Sequence, residues 1–407
     1  MEDVNATAFG TRLRELRKWR GLTLREAADL AGLSFSFWGE VERGEKAVNN
    51  RKTLEAMVTA LRVHPTELSG QPWITPRDAP GAGAHAGLTA IETALERYEL
   101  GTDPGLPVRD WPQIQADLDR LIQITHGTSD HTAMAELAPA LLGELYGGYV
   151  RMPERRRDVL LGLMMAYSSA MWTTKRLGDR GLPALAARAV RQCAEALGDA
   201  VWLGYAAWLR GNATGHLDRA GQYRRSVAAA ENLTGELDRD DALQACGMLH
   251  LSAALAAGAQ ADHATAATHL GEASALAARM DTEVGTWAHL WFGTTNIGIW
   301  RTGLAVELGE PGRALEVAET VRPELLPAPV RQAEFWIEVG RALVAERKTR
   351  EEGLRVLLRA ERLAPQVVRT NLFVREAVAD LLRRDRREAS GRELRGLAWR
   401  MGVAPIG

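Results

Sequence analysis

The sequence predicts an all-α protein in two parts, a short N-terminal helical domain and a long array of antiparallel helices. Apolar residues recur at every third or fourth position through most of the 407 residues, and the alternating pattern of β-strands is missing. Glycine and proline lie near the expected helix ends. Several predicted helix pairs share a glycine turn followed five residues later by a small residue, as at Gly215 with Ala220 and Gly309 with Ala314. The length alone suggests two or three domains.

The most informative stretch is GLTLREAADLAGLSFSFWGEVERG, residues 21–44. Thr23 and Glu26 have the spacing of a capping box, which predicts the start of a short helix. Gly32 is expected to end that helix, because glycine accepts the left-handed backbone of a turn. Ser34 then caps a second helix, Phe35 to Glu42. Two short helices joined in this way form the helix-turn-helix pattern, whose second helix enters the DNA major groove.

This stretch resembles the DNA-binding domain of lambdoid phage repressors and of the wider XRE family. The residues that fall at the family spacing are Gly21, Leu22, Glu26, Ala28, Gly32, Glu42 and Gly44. The flanks agree, since Phe9 to Arg20 resembles the first helix of that domain and Arg51 to Leu68 resembles its last two. The resemblance implies a five-helix domain over residues 1–68 that binds double-stranded DNA. The alternative is a helix-turn-helix fold reused as a protein-docking module.

Helix geometry and the resemblance together assign roles within the second helix. Trp38 and Val41 are predicted to face the core. By position in the XRE family, base contacts fall to Phe35, Ser36, Gly39 and Glu40. Phe35 offers apolar contact, for example to a thymine methyl, and Glu40 can accept a hydrogen bond from cytosine N4. Phe37 is either a packing residue or a base contact.

Phosphate contacts are expected around the second helix, from helix N-termini and from basic residues after Glu42. Any one of these basic residues can instead be a solvated surface charge. The residues predicted to contact DNA are Thr23, Arg25, Ser34, Phe35, Ser36, Gly39, Glu40, Arg43, Lys46, Asn50 and Arg51. Residues 1–70 carry 11 Lys and Arg against 10 Asp and Glu. Because this domain is only weakly basic, we expect it to bind a palindromic operator as a homodimer.

A linker is predicted at residues 69–87, which are dense in proline, glycine and alanine and have no apolar period. Residues 88–407 are then predicted to form helical repeats. Their helix pairs are similar to tetratricopeptide repeats, although the small residues Ala220, Ala264, Ala314 and Gly353 lie farther apart than the usual spacing of about 34. The similarity implies a right-handed α-solenoid whose concave face binds a ligand.

The predicted ligand face centres on a helix from Thr286 to Gly309, which is apolar nearly all round and is expected to be buried. Asn296 in its middle is explained either by a ligand that needs an amide partner or by a structural hydrogen bond between helices. Phe292 and Trp300 are predicted to lie on the same side of that helix. The residues predicted to bind ligand are Trp202, Tyr205, Phe292, Asn296, Trp300, Glu334, Glu338 and Arg341.

The whole layout resembles actinomycete XRE regulators with tetratricopeptide-like repeats and the quorum-sensing peptide receptors of the RRNPP kind. The resemblance implies DNA binding controlled by an effector, either a signal peptide or a small molecule. The alternative is an interaction protein whose solenoid recruits a protein partner to DNA. The Arg-rich tail, residues 381–403, is a solvated cap, a dimer contact or an extra DNA contact.

Other functional classes find little support in the sequence. It contains no HExxH, GxSxG or Walker motif, so we expect no enzyme activity and no cofactor. The closest histidine pairs lie five or six positions apart, which points the two rings to different sides of a helix and argues against a metal site. Cys193 and Cys246 do not suggest a disulfide framework. With no signal peptide and no long uncharged apolar run, a cytoplasmic protein that does not contact a membrane is expected.

Overall fold

The computed structural model describes residues 8–69, 79–385 and 391–403. In these ranges the regular structure is α-helix with short 3₁₀ turns and no strand, which confirms the all-α prediction. In chain order the α-helices are α1 (Ala8–Trp19), α2 (Leu24–Leu30), α3 (Phe35–Glu42), α4 (Arg51–Leu61), α5 (Pro65–Ser69), α6 (Ala79–Arg97), α7 (Trp111–His126), α8 (His131–Arg151), α9 (Arg156–Arg176), α10 (Leu182–Leu197), α11 (Ala200–Thr214), α12 (Arg219–Glu231), α13 (Asp240–Ala259), α14 (His263–Ala277), α15 (Thr294–Glu307), α16 (Pro311–Ala318), α17 (Pro329–Ala345), α18 (Arg350–Leu363), α19 (Pro365–Thr370), α20 (Leu372–Asp385) and α21 (Arg392–Arg400).

The chain divides into two compact units. The first contains the described residues of Met1–Trp73, Arg301–Thr320 and Ala333–Gly407, and the second contains those of Ile74–Trp300 and Val321–Gln332. This division differs from the predicted one, which assigned residues 88–407 to one domain. The physical reason is packing, because C-terminal helices share a core with the N-terminal domain.

The N-terminal part of the first unit is a five-helix domain, α1 to α5, as predicted. Trp38 and Val41 are fully buried in its core, so the predicted inward face of α3 is correct. Phe373, from α20, is buried in the same core. The other core residues are Val48, from the loop between α3 and α4, and twelve helix residues: Phe9, Leu13, Leu16, Ala27, Ala28, Trp38, Val41, Leu54, Met57, Val58, Leu61 and Leu68.

The second unit is a stack of helices in which chain neighbours pack on one another. Helix α8 packs on α9, α9 on α10, α12 on α13 and α13 on α14, an arrangement consistent with an α-solenoid. Helix α13 is the one described helix that is long and apolar enough to span a membrane, but 89% of its most apolar window is buried inside the protein, as expected for a core helix. Its Gly247 allows close approach, because a Cβ there would lie 2.0 Å from the ring of Phe292.

The predicted linker and the helix after it need correction. Helix α6 begins at Ala79, inside the predicted linker of residues 69–87. The stretch 79–87 carries four alanines, the strongest helix former, and these offset its glycines. Residues 70–78 of the predicted linker, and residues 386–390 and 404–407 near the C-terminus, lie outside the described residues.

The predicted continuous helix from Thr286 to Gly309 is wrong. A 3₁₀ turn spans Trp287–His289, and α15 begins only at Thr294. Ala288, His289 and Trp291 have φ angles of 47°, 56° and 53°, a left-handed conformation that costs about 1–2 kcal/mol for each such residue. Only glycine fits at Gly293 (φ 148°), because a Cβ would lie 2.2 Å from the carbonyl oxygen of Glu283.

Candidate functional site

Both helices of the predicted DNA-reading pair start with the expected caps. The backbone N–H of Thr23 donates to Glu26 Oε2 at 2.7 Å, and the backbone N–H of Glu26 donates to Thr23 Oγ1 at 3.2 Å. These bonds to Thr23 lower the pKa of Glu26. Ser34 Oγ accepts from the backbone N–H of Phe37 at 3.1 Å. Thr23 and Ser34 thus fix where α2 and α3 begin.

Helix α3 is anchored on its inner side by a buried ion pair that no sequence pattern indicated. The guanidinium of Arg17 binds both carboxylate oxygens of Glu42, at 2.5 and 2.9 Å. The indole N–H of Trp38 donates to the same carboxylate at 2.7 Å. Only 5% of Glu42 is exposed, so this bidentate pair is shielded from water. The family spacing of Glu42 was the available signal, but nothing in the sequence named Arg17 as its partner.

The outer face of α3 brings together most of the residues predicted to read bases. The Phe35 ring is 52% exposed, and the Arg25 guanidinium lies 5.4 Å from its centroid. Ser36 Oγ donates to Glu40 Oε1 at 3.1 Å, and Lys46 Nζ lies 3.6 Å from Glu40 Oε2. The surface therefore offers an apolar ring, a hydroxyl and a carboxylate, flanked by two cations.

Phe37 was predicted to be either a packing residue or a base contact, and its ring is partly in the core and partly at the surface. Its ring is half-buried and packs against the core of the N-terminal domain. On its outer side, Lys46 Nζ lies 5.0 Å from the ring centroid. Its main role is packing, with a cation held over the ring.

The structure corrects the predicted position of Gly39. It is buried and does not face solvent. A Cβ at this position would lie 3.0 Å from the guanidinium of Arg43 and 3.6 Å from Leu24 Cδ1. Arg43 covers the glycine and is bonded to Glu45 at 2.7 Å, which lowers the pKa of Glu45. Gly39 thus serves the packing of α2 on α3.

Asn50 and Arg51 have partners other than the predicted phosphates. Asn50 Oδ1 accepts from the backbone N–H of Thr53 at 2.8 Å, so Asn50 caps α4. The backbone N–H of Arg51 donates to Glu307 Oε2 at 2.6 Å, and its guanidinium lies 2.6 Å from Glu307 Oε1. A helix N-terminus and an arginine suit any anionic oxygen, and here a carboxylate occupies the place expected for phosphate.

Glu307 belongs to a buried network of four charged side chains. Its carboxylate is 2% exposed and lies 3.1 Å from the guanidinium of Arg341, which also bonds Glu338 and the backbone carbonyl of Asn49. Burial opposes ionisation of Glu307, but Arg51 and Arg341 together lower its pKa. Burial raises the pKa of Glu338 despite the same arginines. The predicted ligand residues Glu338 and Arg341 are therefore paired internally.

The remaining predicted ligand residues are mostly core residues of the second unit. Trp202 and Tyr205 pack on Trp287, and their ring centroids lie 4.9 and 6.1 Å, respectively, from that of Trp287. Phe292 is fully buried, and it precedes α15 and does not lie on the same helix face as Asn296. The Trp300 ring lies 5.3 Å below the guanidinium of Arg331. Glu334 lies in the part of α17 that belongs to the first unit and is half-buried.

Asn296 has a structural explanation. Its Nδ2 donates to the carbonyl of Leu290 at 3.0 Å, and its Oδ1 accepts from Arg331 Nε at 2.9 Å. The side chain is 1% exposed. The sequence left two interpretations of Asn296 open, a ligand contact or a structural hydrogen bond. The geometry corresponds to the structural hydrogen bond. Asn296 thus fixes the segment before α15.

The second unit contains a small cavity of about 30 Å³. Among the residues predicted to bind ligand, Tyr205 lies in its wall. The lining residues are Leu121, Ile122, Thr125, His126, Met165, Ser168, Ser169, Trp172, Tyr205, Trp208, Ala288, His289 and Leu290. These residues come from α7, α9, α11 and the segment 288–290, which are distant in sequence. No periodic pattern in the sequence indicates that these elements meet. Within the described ranges, no group of three or more His, Cys, Asp or Glu is placed to hold a metal ion.

Residues 8–69 match the family model of a helix-turn-helix domain. The chain carries a helix-turn-helix domain. The match coincides with α1 to α5 and with the capped pair α2 and α3. No curated protein and no solved structure matches the chain. The match does not extend beyond Ser69, so the resemblance of the later helices to tetratricopeptide repeats stays a prediction.

Proposed function

We propose that the protein is a sequence-specific DNA-binding transcriptional regulator of the cytoplasm. The observation that carries this proposal is the exposed face of α3, with Phe35, Ser36 and Glu40 directed outward on a helix anchored by Trp38 and Glu42. In the major groove, Glu40 accepts from cytosine N4 and Phe35 contacts a thymine methyl. Such a helix in a helix-turn-helix domain reads base edges.

Phosphate contacts on either side of α3 position the domain. Arg25 lies over Phe35, and Arg43 and Lys46 follow the helix, each on the exposed surface. Contacts of this kind carry affinity and not sequence information. Because residues 1–70 have nearly equal numbers of acidic and basic side chains, two domains are needed for firm binding. A homodimer on a palindromic operator meets this need.

An effector, either a peptide or a small molecule, controls this binding through Glu307. The carboxylate holds Arg51 and the N-terminus of α4, where a DNA phosphate would otherwise bind. Glu307 is the last residue of α15, and α15 starts three residues after Trp291, the last of the left-handed residues Ala288, His289 and Trp291. A ligand that changes that segment can therefore move Glu307 relative to Arg51, and so shift the DNA-binding equilibrium.

The test is DNA binding by the full chain, measured as fluorescence anisotropy on duplexes selected from random sequence. Arg43→Ala should weaken binding to every duplex about fivefold. It should also reduce the slope of log affinity against log salt concentration by about one. Arg313→Ala, which removes an exposed arginine from α16, is the matched control and should change neither. If the two variants behave alike, α3 and its flank do not bind DNA.

The same assay separates this function from the alternative of a recruiting interaction protein. A regulator binds the selected duplex alone, and a low-molecular-weight fraction or peptide shifts its affinity. An interaction protein responds only when a protein partner is added.

A further inference from the structure

We infer that an arginine cluster on α11 and α12, formed by Arg210, Arg224 and Arg225, is a binding site for the phosphate group of a small phosphate monoester. The cluster lies wholly within the second unit. The inference goes beyond the proposed function, since the reading of DNA by α3 does not require a ligand on these helices.

Two neighbouring helices bring the arginine cluster together. Arg210 lies on α11, Arg224 and Arg225 lie on α12, and the two helices pack on one another. Arg210 and Arg225 are half-buried, whereas Arg224 is exposed. An incoming anion can therefore meet two arginines that are held against the protein and a third that reaches it from the solvent side.

Little acidic charge balances the arginine cluster. Asp218 Oδ2 lies 3.7 Å from Arg225 Nη1, and Asp218 also caps α12, because its Oδ1 accepts from the backbone N–H of Gly221 at 2.7 Å. Among the described residues, the guanidinium groups of Arg210 and Arg224 have neither an ion-pair partner nor a hydrogen-bond acceptor. Three positive charges against one negative charge leave a net charge of +2.

One donor of the arginine cluster is buried without a partner. In the part of the chain that the structure describes, Arg225 Nε has no hydrogen-bond acceptor, although the side chain as a whole is 29% exposed. A buried donor of this kind costs free energy. Because Nη1 faces Asp218, the edge formed by Nε and Nη2 is the one that a ligand can take in the bidentate geometry of arginine with phosphate.

The arginines repel one another in the folded protein. Burial lowers the pKa of Arg225, and the positive charges of Arg210 and Arg224 lower it further, against the opposing effect of Asp218. A lowered arginine pKa means that the folded state holds the positive charge less favourably than the unfolded chain does. A bound anion offsets both the burial and the repulsion, so it should stabilise the fold.

The net charge and the number of donors favour a phosphate monoester over other anions. A monoester carries about −1.5 to −2 charges at pH 7 and three terminal oxygens, so one group can bond all three arginines. A carboxylate and a phosphodiester of the DNA backbone each carry a single charge and two such oxygens. The arginine cluster is therefore matched to a monoester and is only partly neutralised by the other two.

Three anionic probes test the inferred chemistry on the full chain without DNA. Methyl phosphate is a monoester, dimethyl phosphate is a diester with one charge, and acetate is a carboxylate with one charge. Ligand-detected NMR at constant ionic strength should show saturable binding of methyl phosphate, with binding of the other two weaker by at least about fivefold. Failure of methyl phosphate to saturate, or equal binding of all three probes, would overturn the inference.

Two variants locate the binding. Arg225→Gln removes the bidentate donors and Arg210→Gln removes the neighbouring charge, so each should weaken methyl phosphate about tenfold. Arg188→Gln, which removes an exposed arginine from α10, is the matched control and should leave methyl phosphate binding unchanged. If the two cluster variants bind methyl phosphate as the control does, the site lies elsewhere and the inference is wrong.

Thermal unfolding separates a binding role of Arg210 from a structural one. Without phosphate, Arg210→Gln should unfold at a higher temperature than the wild type, because its repulsion with Arg225 is relieved. Methyl phosphate should raise the unfolding temperature of the wild type more than that of the variant. A variant that is less stable than the wild type, and that gains as much from methyl phosphate, would contradict the inferred site.

Failure of this inference is distinguishable from failure of the proposed function. Operator affinity is measured without probes, and probe binding is measured without DNA. Normal operator binding with no methyl phosphate site overturns the arginine cluster alone. A lower operator affinity and a smaller salt slope in Arg225→Gln would place the DNA backbone on the cluster and overturn the small ligand. Methyl phosphate binding in a protein that binds no operator supports the cluster and overturns the regulator.

Discussion

At the scale of single residues, Glu40 is the side chain on α3 best placed to distinguish bases. It is half-exposed, and Ser36 and Lys46 hold its carboxylate at the surface. Phe35 contributes only apolar contact, and Gly39 is covered by Arg43. Sequence preference should therefore depend on few side chains, and one substitution should change it.

Glu40→Ala should remove the preference for cytosine at one position of each half-site, because no acceptor remains for its N4 amino group. The expected loss is about 1–3 kcal/mol of discrimination at that base pair. Competition binding with duplexes that differ only at this position measures it. Arg43→Ala serves as the comparison, since it should weaken all duplexes alike. An unchanged preference in Glu40→Ala would show that the readout assignment is wrong.

The buried pair beneath α3 sets the stability of the helix-turn-helix domain. Glu42→Ala leaves the Arg17 charge and the Trp38 N–H without their partner, so the free energy of unfolding should fall by about 3–5 kcal/mol. Glu15→Ala breaks an ion pair with Arg12 in which both side chains are about half-exposed, and should cost less than about 1 kcal/mol. Urea unfolding followed by circular dichroism compares them. Equal losses would mean that the buried pair does not anchor α3.

At the scale of elements, α15 joins the strained cavity segment to the DNA-binding domain. Its first turns belong to the second unit and its last residues to the first. Glu307, at its end, bonds a backbone N–H 256 positions earlier in the chain. One helix thus carries the contact through which we propose that the ligand acts.

Glu307→Gln should increase affinity for the selected operator several-fold, because the amide no longer competes as an anion with phosphate for Arg51. Glu310→Gln, three residues later and more exposed, is the matched control and should leave affinity unchanged. Anisotropy titrations at equal ionic strength measure both. If Glu307→Gln binds DNA no more tightly than the control, Glu307 does not restrain the domain.

Helix α20 carries a pH-dependent contribution to stability. Burial raises the pKa of Glu376 to about 7, against the opposing effect of Arg383 and Arg375. The unfolded chain loses this proton near its ordinary pKa of 4.5, while the folded protein keeps it to about pH 7. The stabilising contribution of protonated Glu376 is therefore complete below the pKa of the unfolded chain. It is lost as the pH rises through 7, and the free energy of unfolding falls by up to about 3 kcal/mol.

Glu376→Gln should remove this dependence, because the amide stays neutral at every pH. The free energy of unfolding of the wild type should fall relative to the variant between about pH 5 and pH 8. Urea titrations at several pH values provide the comparison. Parallel pH profiles for the two proteins would contradict a buried, neutral Glu376.

The elements that could be predicted from sequence are those fixed by local chemistry. Thr23, Glu26 and Ser34 cap their helices through bonds three residues apart, and such spacing is visible in the sequence. The break before α15 could not be predicted in this way. Gly293 is required there by the backbone at Glu283, and the apolar composition of the segment hides the left-handed residues.

At the scale of the whole molecule, the compact units differ from the predicted domains for the same physical reason. Phe373 lies in the core of the N-terminal domain, and Arg341 and Glu307 contact its α4 end. Such pairings join residues hundreds of positions apart, and no composition shift marks them. The candidate sites followed the same rule, since most of the outer face of α3 could be predicted from the sequence and the cavity lining could not.

For the proposed binding to DNA, the near balance of charge in residues 1–70 favours a dimer over a monomer. With 11 basic and 10 acidic side chains, one domain neutralises few phosphates. A two-fold dimer doubles those contacts and requires two half-sites related by symmetry, with centres about one helical turn apart. Operator symmetry therefore reports directly on how the whole protein binds.

The most direct measurement is selection of genomic fragments by the full chain, followed by sequencing and footprinting of the bound DNA. We predict a palindrome whose half-sites are centred about one helical turn apart, with protection of both and loss of the cytosine preference in Glu40→Ala. Enrichment of no common sequence, or the same sequence with wild type and Glu40→Ala, would contradict sequence-specific reading by α3.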